Sequence, residues 1–207
     1  MFTDESNNCG CGCKPGNNMK QKEIGPFIAI DAGSLTPLTA GAASRIPFSS
    51  GNNPSSLFTN AGGLPTDGTL LGFGSSRAVG LTGASIDLTT ALGTEAFSIS
   101  QAGNITSISA SYTVMNAFLT AGTVTIRAQI YRATAGSNIF NPTNAFVDLA
   151  PLTTIVIGTI TNATVNLAPV PVAAGDLLLM VFSASATGIG SLQNNIAGNA
   201  SAGITIA

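Results

Sequence analysis

The chain has 207 residues, with seven lysines and arginines against nine aspartates and glutamates, and no histidine. Only 8% of its residues are charged, against about a quarter in an ordinary soluble domain, so the surface has to be rich in hydroxyls and amides or covered by other copies of the chain. The near-zero net charge leaves no electrostatic footprint for nucleic acid, and with no run of about 18 apolar residues there is no transmembrane helix.

Composition changes near residue 44. Residues 1–23 hold every cysteine (Cys9, Cys11, Cys13) and every lysine among Asn and Gly. Residues 24–44 open with the apolar stretch Ile24-Gly25-Pro26-Phe27-Ile28-Ala29-Ile30 and continue as a Gly/Ala/Thr/Pro spacer. Residues 45–207 read as one domain of about 160 residues, within the usual size range and long enough to bury a sizeable core. The N-terminus is acidic and polar, without the basic and apolar regions of a secretory signal. That predicts a chain kept in a cytoplasm or released by cell lysis.

Helix signals are nearly absent, and β-branched runs recur between Gly, Pro and Asn clusters, which predicts an all-β sandwich or barrel. Residues 45–49 open the domain and a loop follows to Asp67. Strands are expected at residues 69–74, then at 95–100 and 105–115 as a pair turned at Gln101-Ala102-Gly103-Asn104. Residues 123–132 alternate most cleanly. Val124, Ile126, Ala128 and Ile130 face one way, and Thr125, Arg127, Gln129 and Tyr131 the other. Further strands are expected at residues 145–149, 153–160, 163–167, 177–183 and 200–206, with residues 135–144 as a loop.

The run Leu177-Leu178-Leu179-Met180-Val181-Phe182 does not alternate, so both of its faces must be dry, whereas an antiparallel sandwich strand normally has one wet face. Two readings stand side by side: core on one face and a subunit interface on the other, or a central strand covered by a loop. Nine or ten strands with Pro/Gly-rich connections fit a double-sheet jelly roll.

Catalytic chemistry finds little to work with. Without histidine there is no usual general base, no Ser-His-Asp arrangement and little prospect of zinc. Asp67, Asp87, Glu95, Asp148 and Asp176 are scattered over turns, where acidic residues serve the backbone. Gly62-Gly63 and Gly72-Phe73-Gly74 open no phosphate-binding helix. No enzyme activity, cofactor or metal is expected.

The cysteines are the one constellation. Spaced by two, all three point to one side of an extended chain. A thiolate metal clip, free thiols in a tail and interchain disulfides are the three readings; the odd count invites an intermolecular partner. Ile24, Pro26, Phe27, Ile28 and Ile30 read either as a first strand of the same domain or as a docking strand for a neighbouring copy by β-augmentation. A heterologous contact of that kind that does not close gives an open filament.

The domain resembles the C-terminal domain of the collagen-like exosporium glycoproteins of Bacillus-type spores, the BclB group in particular. The residues that carry this are Ile46-Pro47-Phe48-Ser49-Ser50-Gly51, Gly68-Thr69-Leu70-Leu71-Gly72-Phe73-Gly74, Ala96-Phe97-Ser98-Ile99, Gly103-Asn104-Ile105-Thr106-Ser107-Ile108, Asn138-Ile139-Phe140-Asn141-Pro142, Ala174-Gly175-Asp176-Leu177-Leu178-Leu179 and the closing residues 200–206. The resemblance implies a jelly roll of the complement/tumour-necrosis-factor type, assembled as a homotrimer on the spore surface and preceded by an extended N-terminal arm. It also implies synthesis in the mother cell without a signal peptide. Under it, Leu177, Leu178, Leu179, Met180, Val181 and Phe182 are trimer interface and core.

Two departures stand out. There is no Gly-X-Y stalk, and Ile24-Gly25-Pro26 is followed by Phe27-Ile28-Ala29-Ile30 rather than more prolines. The chain then looks like the subunit of an endospore appendage, a pilus-like fibre. Trimers are expected to stack head to tail through inserted arms locked by Cys9, Cys11 and Cys13. An exosporium anchoring protein and a tip adhesin are expected as further partners, and neither nucleic acid nor membrane. The alternative is a non-polymerising trimeric knob that acts as an adhesion module.

Overall fold

The computed structural model describes residues 23–24, 27–28, 43–81, 83–91, 94–119, 122–154, 156–189 and 192–207. The chain divides into two units, Met1–Ala40 and Gly41–Ala207. In the first, β1 (Glu23–Ile24) and β2 (Phe27–Ile28) pair antiparallel, with Ile24 opposite Phe27 and Glu23 opposite Ile28. The described residues of the expected docking strand are thus paired with each other.

The second unit is all strand and turn, with no helix among the described residues. Its strands are β3 (Ser44–Ser49), β4 (Ser55–Thr59), β5 (Pro65–Leu71), β6 (Ser76–Gly80), β7 (Ile86–Asp87), β8 (Phe97–Ser98), β9 (Gly103–Leu119), β10 (Thr123–Ala133), β11 (Ile139–Asp148), β12 (Ile160–Val172), β13 (Leu177–Thr187) and β14 (Asn194–Ile206). One layer runs β3-β14-β9-β12 and the other β5-β13-β10-β11, with every named pair antiparallel. Four strands facing four in this order make a jelly-roll sandwich. β4 pairs with β14 on one edge and with β5 on the other, so it turns the corner between the layers.

Alternation builds the core. Val124, Ile126, Ala128 and Ile130 of β10 are fully buried, as expected from their spacing, and meet Ile108 and Tyr112 of β9 and Met180 and Phe182 of β13. Tyr112 is the largest fully buried side chain. Its hydroxyl donates to the Ser55 carbonyl at 2.6 Å and lies 3.2 Å from that of Ile196. It thereby ties β9 to β4 and β14. Burial pushes its phenol up, so it stays a neutral donor. Gly198 of β14 packs against this tyrosine, and a Cβ there would run into the Tyr112 ring and the Thr113 carbonyl.

Several expected boundaries move. β4 and the start of β5 lie in the stretch read as loop, and β11 runs through Asn141-Pro142. β12 runs through Pro169 and Pro171, which a sheet tolerates where the strand is an outer edge. β8 pairs with β13 rather than turning onto β9. The described residues 156–159, expected as strand, lie in a turn. Replacing Tyr112 by Phe is expected to lower the unfolding free energy by about 1–3 kcal/mol, the loss of a buried hydrogen bond, read as an earlier urea midpoint with an unchanged slope.

Candidate functional site

The strand registers define two ends of the sandwich. At one, Ser44 lies opposite Ile206, Gly103 opposite Val172, and Ala133 opposite Leu177. The chain enters the domain here. At the other, Thr123 lies opposite Thr187, Leu119 opposite Asn194, and Thr113 opposite Ile160. Ala186 and Leu192 donate to the carbonyls of Gly63 and Ala61 and gather the remaining loops at this second end. This is the distal end of the sandwich.

The distal end carries Leu64, Met115, Phe118, Val156, Ile157, Ile160 and Ile189, which are all of the exposed large hydrophobics among the described residues except Phe73 and Ile139. Phe118 is 68% exposed, Ile157 75% and Ile189 96%. No charged residue occurs in 60–64, 113–123, 149–160 or 187–195, the segments that build this end. Scattered surface hydrophobics are ordinary, but a collected and uncharged set marks an interaction surface.

Two outer faces differ in kind. On the β3-β14-β9-β12 layer, rows of small polar side chains lie in register, such as Ser201–Ser111–Asn162 and Thr205–Ser107–Asn166. Ser109 and Thr164 share a hydrogen bond of 2.8 Å between hydroxyls. Arg45 of β3 is the only charged side chain on the four strands of this face. On the β5-β13-β10-β11 layer, Arg127 makes a two-pronged ion pair with Asp148 at 2.7 and 2.8 Å and stacks its guanidinium 4.2 Å above the Phe146 ring. The carboxylate pushes the Arg127 guanidinium up, and burial pushes the Tyr131 phenol up against the pull of Arg127. Arg77–Glu95 and Arg132–Asp176 are the other ion pairs among the described residues.

The expected site residues fall as follows. Cys9, Cys11, Cys13, Pro26 and Ile30 lie outside the described residues. Ile24 is in β1, and Phe27 and Ile28 are in β2. Leu177, Leu178, Leu179, Met180, Val181 and Phe182 form the first half of β13. Their second face is covered within the chain itself, as in the loop-covered reading. Leu178, Met180 and Phe182 point into the main core, while Leu179 and Val181 join Leu70, Ile86, Ala133 and Phe140 in a second cluster. Val79, Leu81, Leu88 and Ala96 close over it. The segment after β5, for which no element was expected, covers this face within one chain.

Sequence reasoning missed the distal end. Its signal was an apolar residue set against a turn glycine: Gly63-Leu64, Ile157-Gly158 and Gly188-Ile189-Gly190. Strands bury such residues; turns at a sandwich end present them.

No protein-family model matches the chain, and neither does any curated protein sequence. Among solved structures, the chain is similar to the Eiger tumour necrosis factor of S. frugiperda, with a TM-score of 0.35 and 10% identity over 79% of this chain and 92% of that one. At that level of likeness the jelly-roll assignment rests on the strand order and not on the match.

Two substitutions separate core from surface. Leu179→Ala is expected to destabilise the isolated fold by about 2–5 kcal/mol through the cavity it leaves. Ile157→Ser is expected to change stability by less than about 0.5 kcal/mol. Denaturant titration reads both effects.

Proposed function

We propose that the chain is a structural subunit of a spore-surface appendage fibre, in which homotrimers of the jelly roll polymerise head to tail. Each trimer inserts its N-terminal arms into the preceding one through Ile24, Phe27, Ile28 and Ile30, and Cys9, Cys11 and Cys13 form interchain disulfides at the joint. The resemblance to exosporium glycoproteins supports the spore surface as the location. The observation that carries the assembly reading is the polarity of the domain: its first strand starts at Ser44 at one end, and the uncharged apolar surface lies at the other.

Such a contact is heterologous, and repeated without closure it gives a filament. Magnitudes set how much surface the joint needs. Each large apolar side chain brought from exposure to full burial contributes roughly 1.5–3 kcal/mol. Association costs about 4–15 kcal/mol, so several distal residues must be covered together. A two-stranded hairpin is marginal in water, so the β1–β2 pairing is no obstacle to the arm re-pairing on a neighbour. The hydroxyl rows of the β3-β14-β9-β12 face are the flat surface best suited to lateral contact within a trimer.

Electron microscopy of the purified protein is expected to show fibres, and removal of residues 1–40 to leave soluble oligomers; fibres of unchanged length without the arm sink the reading. Replacing Cys9, Cys11 and Cys13 together by Ser is expected to leave fibres that form but dissociate in hot SDS. Because the distal end has no charge to screen, fibre length is expected to be no shorter at about 1 M salt than at 0.05 M.

A further inference from the structure

The outer face of the β5-β13-β10-β11 layer bears a groove of about 470 Å³, within the range of small-ligand sites, about 300–1,000 Å³. One wall is the outward side of β10, with Arg127, Gln129 and Tyr131; Ser183 of β13 lies on the floor opposite Arg127, and Leu64 and Leu81 form the other wall. Leu64 is shared with the rim of the distal end, while Arg127, Gln129, Tyr131 and Ser183 lie apart from that end and from the hydroxyl rows, so the polar side of the groove stands apart from the fibre reading.

Its polar groups are held in place before any ligand arrives. Asp148 takes Nε and one Nη2 hydrogen of Arg127, and Phe146 fixes the guanidinium plane from below. The remaining N–H groups, on Nη1 and Nη2, are left for other acceptors. Gln129 donates its Nε2 to the Thr143 carbonyl at 2.7 Å, which leaves its amide oxygen as an acceptor. The hydroxyls of Tyr131 and Ser183 have no protein partner among the described residues. Asp148 cancels the charge of Arg127 at contact distance, so the groove offers directed donors and acceptors with no net charge, beside an apolar wall and an aromatic ring. A charged ligand would lose its hydration here without a counter-ion. A ligand with alternating hydroxyls and C–H faces matches every group present.

We propose that this groove binds a neutral saccharide, with Arg127, Gln129 and Tyr131 bonding its hydroxyls and Leu64 and Leu81 covering a C–H face. Saturation-transfer difference NMR on the full-length protein tests this, with methyl mannoside, methyl glucoside, methyl galactoside and N-acetylglucosamine as probes and glucuronate as the charged control. At least one neutral sugar is expected to bind in the millimolar range and more tightly than glucuronate. Tyr131→Phe, which keeps the ring and the packing, and Gln129→Ala are each expected to weaken it about 3–10-fold, the loss of roughly one hydrogen bond. Ser109→Ala, on the opposite face, is expected to leave binding unchanged. Absence of transfer from every neutral probe, preference for glucuronate, or binding indifferent to both groove variants overturns the proposal.

Discussion

Scarcity of charge is the constraint from which the rest of this structure follows. From Gly33 onward there are nine charged side chains, and Arg77–Glu95, Arg127–Asp148 and Arg132–Asp176 join six of them in pairs. The domain therefore meets water through backbone, hydroxyls and amides. Strand rows such as Ser201–Ser111–Asn162 follow from that, because small polar side chains in register cover a sheet face without charge. The distal end follows as well, since nothing ionic is at hand to blunt it.

Within the fold, Tyr112 and β4 convert two sheets into one closed unit. β4 lends one edge to each layer, and the Tyr112 hydroxyl fastens it to β9 and β14 from inside. Further along β4, Thr59 donates to the Leu192 carbonyl at 2.6 Å and accepts from the Asn194 amide at 2.9 Å. These bonds set the loop before β14 against the end of β4, and so help to fix the distal loops on which Leu64 and Ile189 stand. The core thereby reaches the surface that the assembly reading uses: the corner that closes the sandwich also shapes its apolar end.

What the sequence made legible is what periodicity can carry. The alternation in β10 named Val124, Ile126, Ala128 and Ile130 as one face, and all four are fully buried. The recurrence of short strands pointed to a jelly roll, which the strand order bears out. Periodicity fails where tertiary pairing overrides local chemistry. Pro169 and Pro171 read as punctuation, yet they sit inside β12 because an outer edge needs no donor on its open side. The uninterrupted apolar run in β13 showed that both faces are dry but not what covers them; Leu70, Phe140 and Val79 do so from the same chain. The distal end was invisible for a related reason. Ile157 falls in the stretch expected as a strand at 153–160, and the turn at Val156–Thr159 puts it in water instead.

The proposed fibre depends on a directional joint between the arm of one subunit and the distal end of the next. A cryo-electron microscopy map of the assembled full-length protein tests it most directly. The expected result is density for residues 24–30 of one copy lying against Phe118, Ile157 and Ile189 of its neighbour, with the jelly rolls all oriented alike along the axis. Isolated particles, or a filament whose joints leave those three side chains in solvent, would contradict it.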